Sequence, residues 1–531
     1  MIKHNLEQHL FATATGTPWQ KIGVKNHHGI VVPLFALHSR HSSGIGEYPD
    51  LIPLIDWCKE NHLDLIQLLP LNDTGQETSP YSALSAYALN PLHLGLSQLP
   101  DISQNSELLS LIHEAQALNE YQLVHYQEVQ KIKERFFRLY YRQQAASLRT
   151  DPSYRTFKET HRSWLQDYAR FKTLKIRQNW LSWELWPQSY ENAAGLTENP
   201  PSNLAEEMEF HQFLQYLCFL QLEEVKQIAE KKKIFIKGDI PILINRESAD
   251  VWSHREFFLL QLSAGAPPDM YAKEGQKWGF PPYNWEAIAN QGYRWWIERL
   301  SAASHFYNLY RLDHVVGFFR IWAIPFSKPA KEGHFIPEDK ALWIPQGEKI
   351  MRIMLEHSSM LPIGEDLGTV PPEVRVCLRH LGICGTKVMR WERRWDIDQQ
   401  FIDPKDYPPE SMTTVSTHDS ETLQQWWKNQ PEEARLFAET FGEVYAPELT
   451  PALRLAILHL SHHSGSLFHI NLLQEYLALI PGMTWPNLED ERINIPGTIS
   501  SRNWSYRFRP SVEEIVTNGR LSHAFADILK S

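Results

Sequence analysis

Leu309-Tyr310-Arg311-Leu312-Asp313-His314 holds in six residues the pattern that decides the fold: a short, largely apolar run with one guanidinium in it, ending in a carboxylate. Short apolar runs that give way to polar or charged residues and loop chemistry recur at Leu63 to Pro70, Ile234 to Pro241, Leu361 to Asp366 and Met412 to Asp419. Runs of this length, each closed by a polar residue and loop chemistry, suit parallel strands buried on both faces. Helical stretches lie between several of them, at Leu51 to Glu60, Leu204 to Lys231, Gly292 to Tyr307 and Glu348 to His357. Alternating strands and helices imply a parallel sheet, and the number of units favours a closed (β/α)8 TIM barrel, an α/β fold, over an open sheet.

At 531 residues, 43% hydrophobic and 22% charged, the chain is long enough for such a barrel with helical and loop insertions as one catalytic unit, 1–531. Residues 101–201 interrupt the alternation with a polar-aromatic helical region, clearest at Tyr121 to Leu148, and are read as an insertion subdomain. Residues 265–285 (GAPPDMYAKEGQKWGFPPYNW) are too rich in Pro, Gly and aromatics for regular structure and are read as a lid over a cleft. A net charge of -11 without a basic patch argues against nucleic acid and anionic membranes as partners. Lys231-Lys232-Lys233, the one tight basic run, suits the last turn of a helix. With no bilayer-length apolar run and no apolar leader in Met1 to Gln20, a cytoplasmic location is expected. Cys58, Cys218, Cys377 and Cys384 lack metal-ligand spacing and read as inert reduced thiols.

On a barrel, catalytic groups come from the carboxyl ends of several strands. The acids that close the runs are therefore the candidates: Asp313, beside Arg311; Glu365 of Gly364-Glu365-Asp366; and Asp419 of Thr417-His418-Asp419. Each spacing leaves room for one or two βα units, so the three can converge on one ligand. Cleaving a glycosidic bond needs one carboxylate at the anomeric carbon and one protonated carboxyl for the departing oxygen. Any one of these acids taken alone also fits a helix cap or an ion pair. Nineteen tryptophans, 20 tyrosines and 24 phenylalanines fit either a ring-rich core or platforms for the C–H faces of sugars. Composition and spacing leave the chemistry open.

The wording of the motifs narrows it. The chain resembles the amylomaltases, the 4-α-glucanotransferases of glycoside hydrolase family 77, over nearly its whole length. The matching segments are Gly44-Ile-Gly-Glu47, Leu69 to Gly75, Ser79-Pro-Tyr81 through Asn90-Pro91, Gly238-Asp-Ile-Pro241, Ser248 to Trp252 and Gly265 to Gly279. They continue with Arg311-Leu-Asp-His314, Gly364 to Gly368, Thr417-His-Asp419, Asn494-Ile-Pro-Gly-Thr498 and Asn503-Trp504.

The resemblance implies a retaining transfer of α-1,4-glucan segments between maltooligosaccharides. Asp313 stands at the nucleophile's position, Glu365 at the acid/base and Asp419 at a third, substrate-distorting carboxylate. Arg311, His418, Asp239, Trp278, Gln276 and Asn494 stand at sugar-contacting positions, Ser79 and Tyr81 on the cleft wall, and Tyr271 at the tip of the mobile loop. No cofactor is implied, and no Walker or Rossmann loop is present. His459, His462, His463 and His469 are read as packing or surface residues, since the enzymes resembled hold no metal there. The chain departs from the family at Val315-Val316, where Phe-Arg is usual, at Gly364, at Ser420 and at His469 to Glu475; none of these removes an acid. A plain α-glucan hydrolase on the same acids, or a non-catalytic glucan-binding protein, are the alternatives.

Overall fold

All five apolar runs form strands. The computed structural model describes residues 2–187, 190, 202–268 and 273–530. Eight parallel strands stand side by side: β1 His27–Val32, β2 Leu65–Leu68, β3 Phe235–Ile240, β4 Leu309–Leu312, β5 Leu361–Gly364, β6 Gly385–Val388, β7 Ser411–Thr414 and β8 Phe468–Leu472. Neighbours follow chain order from β1 to β5 and from β6 to β8, and β8 pairs back onto β1. At the last seam, between β5 and β6, Ile363 and Cys384 form a parallel bridge and Gly364 N donates to Cys384 O at 2.8 Å. The sheet therefore closes as the (β/α)8 barrel expected from the sequence.

Three strands, β1, β6 and β8, do not show as apolar runs, because polar side chains occupy buried positions in them. In β8 the sequence alternates as Phe-His-Ile-Asn-Leu, yet every residue is buried. His469 Nδ1 bonds Ser461 O at 2.8 Å, and Asn471 Oδ1 accepts Val415 N at 2.8 Å. His462 is also buried, its Nδ1 2.8 Å from His28 Nδ1 and its Nε2 2.6 Å from the Tyr476 hydroxyl, so these imidazoles pack the foot of the barrel.

Helices wrap the strands. Leu51–Glu60 buries Leu51, Leu54, Ile55 and Cys58, the three-and-four spacing of one helix face. Helix Ser202–Lys232 ends with Lys231 and Lys232 in its last turn, where cations oppose the helix dipole, and Lys233 leaves it with φ 61°. In the region after residue 101, helices Ser106–Gln116, Tyr126–Leu148, Pro152–Thr160 and Arg162–Arg177 form, the last of them packed along Ser202–Lys232.

A second sheet, antiparallel, orders Gln276–Lys277, Leu262–Ala266, Ile321–Pro325 and His334–Ile336. This corrects the expectation that residues 265–285 lack regular structure: the start of that segment pairs with Gln276–Lys277, and Trp285 opens a short helix. Gly265 permits the pairing, since a Cβ there would meet Gln276 O at 1.9 Å. Most tryptophans fill the core, with Trp19, Trp57, Trp183, Trp252, Trp296 and Trp427 fully buried. The four cysteines are buried and free. No helix among the described residues is long and apolar enough to cross a membrane.

One buried cation ties the helical region to the barrel. Lys133, inside Tyr126–Leu148, donates to Glu47 Oε1 at 2.7 Å and to the carbonyls of Leu92 and Leu94 at 2.7 and 2.9 Å. Burial pushes Glu47 up to about 7 even with this partner. Lys133→Met leaves a buried carboxyl without its cation and two carbonyls without their donor, and should cost about 3–5 kcal/mol in guanidinium unfolding. A loss below about 1 kcal/mol would show that the pair carries little of the docking.

Candidate active site

The register of the barrel builds the site. Asp239 of β3 lies opposite Arg311 of β4, and Leu312 opposite Gly364 of β5, so the residues that follow, Asp313 and Glu365, emerge side by side at the carboxyl ends. Arg311 Nη1 donates to both oxygens of Asp239 at 3.0 Å. Its Nη2 pairs with Asp313 Oδ1 at 2.7 Å and lies 3.8 Å from Glu365 Oε2. One guanidinium thus spans three carboxyls, the use to which a planar fork of five donors is suited.

Glu365 is held by the backbone. His314 takes a left-handed conformation, φ 44°, and its N–H donates to Glu365 Oε2 at 3.0 Å, while Leu367 N donates to Oε1 at 2.8 Å. A non-glycine residue at positive φ beside a functional carboxyl is strain that the surrounding contacts must sustain. Burial pushes Glu365 up to about 7; Arg311 pulls it down and the neighbouring Asp313 pushes it further up. The adjacent Asp366 points elsewhere. It accepts from Arg375 Nε at 3.0 Å and Thr386 N at 2.7 Å, so the acidic pair of the sequence divides into one cavity residue and one structural residue.

Asp419 has the opposite setting. Burial works to raise it, but His418 and the amide of Asn494, 2.7 Å from Oδ1, outweigh this and hold it at about 2. The Tyr81 hydroxyl donates to Asp239 Oδ2 at 2.8 Å and sits 3.0 Å from His418 Nε2. That nitrogen also faces Asp419 Oδ2 at 3.3 Å. With both neighbours accepting, Nε2 carries the hydrogen. The Tyr81 ring stacks on His418 at 5.5 Å, and Trp504 packs on both.

These side chains line one cavity of about 840 Å³, within the range of about 300–1,000 Å³ common for small-molecule sites. Asp313, Glu365, Asp419, Arg311, His418, Tyr81, Ser79, Gln276, Trp278 and Asn494 all border it. Asp239 is buried just behind, bonded to Tyr81 and Arg311. Trp278 donates to Gln276 Oε1 at 3.0 Å and meets the His314 ring edge-on at 4.9 Å. Tyr271 lies outside the described residues. Sequence reasoning missed Trp322, Phe335, Arg320 and Trp391, which also line the cavity. The first three sit on or beside the antiparallel sheet, which no barrel periodicity announces. Val316, where the resemblance expects arginine, presents an apolar wall.

A parallel barrel whose strand ends set two carboxyls against one cavity is equipped for work on glycosidic bonds. The family described as 4-alpha-glucanotransferase, glycoside hydrolase family 77, matches residues 32–513. The 4-alpha-glucanotransferase of Chlamydia pneumoniae is 46% identical over 515 residues, 96% of this chain and 97% of that one. That of Thermus thermophilus is 32% identical over 84% of this chain and 87% of its own. The solved amylomaltase from Streptococcus agalactiae in complex with acarbose shares the fold, with TM-score 0.77 and 23% identity over 95% of this chain and 99% of that one. The chain belongs to the 4-alpha-glucanotransferase family.

The electrostatics can be read directly. In a carboxyl-labelled NMR titration Glu365 should have its midpoint near 7. In Asp313→Asn the midpoint should fall, because removing a negative neighbour makes the ionised form less costly. A wild-type midpoint near the ordinary 4.5, or a rise in the variant, contradicts this account.

Proposed function

We propose that the cavity binds an α-1,4-glucan and transfers a segment of it to the free end of another by a retaining double displacement. An Asp313 oxygen attacks the anomeric carbon while protonated Glu365 gives its proton to the departing glucan oxygen, leaving a glycosyl ester on Asp313. Glu365, now a carboxylate, takes the proton from an incoming sugar hydroxyl, whose oxygen displaces Asp313. The observation that carries this reading is the shared Arg311 nitrogen. The Asp313 and Glu365 oxygens beside it can be no further apart than the sum of its 2.7 and 3.8 Å contacts. That upper bound meets the lower limit of about 6.5 Å for inverting pairs and admits the retaining geometry near 5–5.5 Å, which supports the reading.

The remaining residues receive roles from their settings. Asp419, kept ionised, serves as a third carboxylate on the bound sugar, positioned by Asn494 and His418. Asp239, Arg311, Tyr81 and Ser79 hold the same sugar from the other strand ends, and Trp278 with Gln276 supplies the cavity wall from within the lid, segment 265–285 with Tyr271 at its tip. The lid keeps water from the ester. On this reading residues 1–531 form one catalytic barrel unit, with 101–201 as a helical insertion.

With maltotriose alone and no added cofactor, the enzyme should release glucose together with a ladder of longer maltooligosaccharides. Asp313→Asn should abolish the ladder, with a loss of at least about a thousandfold in rate, since an amide is a far poorer nucleophile. Only shorter products from the wild type, or near-normal activity in Asp313→Asn, would overturn the assignment.

A further inference from the structure

Transfer requires that a sugar hydroxyl outcompete water at Glu365, so the acceptor needs polar contacts of its own. Among the described residues that line the cavity, only Arg311 and Arg320 are arginine or lysine. Arg311 is committed to Asp239 and Asp313. Arg320 is not committed to any carboxylate among the described residues. Its N–H closes the turn after β4 by donating to Val316 O at 2.9 Å. Its guanidinium lies 4.1 Å from the centre of the Phe335 ring and 4.6 Å from that of Trp343, and its Nη2 donates to Thr369 O at 3.0 Å.

Two rings fix the plane of this group and one carbonyl fixes its rotation. A guanidinium carries five N–H donors, so most remain for the cavity. The bond to Thr369 ties Arg320 to the loop that bears Glu365, the same loop whose Leu367 N holds Glu365 Oε1. Asp419, His418 and Asn494 approach from the far side of the barrel, beyond β7 and β8. The cleft therefore has two halves: one around Asp419, and one around Arg320 on the side of the group that activates the incoming hydroxyl. Trp322, next along and also on the cavity wall, adds an apolar ring to that second half.

We infer that Arg320 is an acceptor-binding residue, donating its free N–H groups to the hydroxyls of the incoming glucan so that sugar is favoured over water. The inference rests on the proposed transfer reaction. It assigns the acceptor half of the cleft to a rigid cation bonded to the Glu365 loop.

The test compares wild type, Arg320→Met and Arg320→Lys with maltotriose as donor and glucose as added acceptor, separating transfer products from new reducing ends, with melting temperature as the check on folding. Arg320→Met should lower the ratio of transfer to hydrolysis about tenfold and raise the KM for glucose more than that for maltotriose. Arg320→Lys keeps a cation on a shorter-reaching head without the planar fork and should fall between the two, so it decides the matter if the methionine variant does not fold. Wild-type partition and acceptor KM in a folded variant, or a rise confined to donor KM, would overturn the inference. Absence of any transfer by the wild type would instead overturn the reaction on which it rests.

Discussion

The site depends on one guanidinium. Arg311 stands among Asp239, Asp313 and Glu365, and at such separations in a partly dry cavity, like charges repel by several kcal/mol unless a cation lies between them. Its surroundings keep it charged: burial opposes the charge, but Asp239 and Asp313 more than offset this and hold it well above the ordinary arginine value. The position of Arg311 is set in turn by the β3–β4 pairing that puts it opposite Asp239. Barrel closure and site electrostatics are therefore one constraint. A slip of one residue in that pairing would turn Arg311 away from Asp239 and leave buried carboxylates uncompensated.

From this hub the acids acquire different characters. Glu365, buried and beside Asp313, sits near 7, where it can both give and take a proton around neutral pH. Asp419, bonded to Asn494 and near His418, stays ionised. Two carboxyls pushed apart in this way are what a proposed acid/base and a proposed electrostatic stabiliser need. On the proposed reading, transfer is favoured over hydrolysis by what surrounds Glu365: the wall of Trp278, and Arg320 clamped by Phe335 and Trp343.

The parts of this legible in the sequence are those written locally. Five strands announce themselves as apolar runs, and acids at the ends of three of them, Asp313, Glu365 and Asp419, line the cavity; the adjacency of Arg311 and Asp313 already marks an ion pair. β6 and β8 escape because Thr386, His469 and Asn471 occupy buried positions there, bonded to Gly364, Ser461 and Val415. The antiparallel sheet escapes because Gly265 and its proline-rich neighbours look like loop, while their pairing is settled by contacts with Ile321–Pro325 far along the chain. The division of Glu365 from Asp366, and the role of Asp239, are equally non-local: each turns on which partner the fold brings within reach. Motif wording, through the family, locates these residues, but the register explains them.

The central claim is that Arg311 presents Asp313 as a nucleophile beside a protonated Glu365. It is tested most directly by trapping the ester: incubate the enzyme with a 5-fluoro-glycosyl fluoride, which slows release of the covalent intermediate, digest, and map the added mass. The account predicts a glycosyl adduct on the peptide containing Asp313, at that residue. An adduct on Glu365 or Asp419, or inactivation-free turnover with no adduct at all, would contradict it.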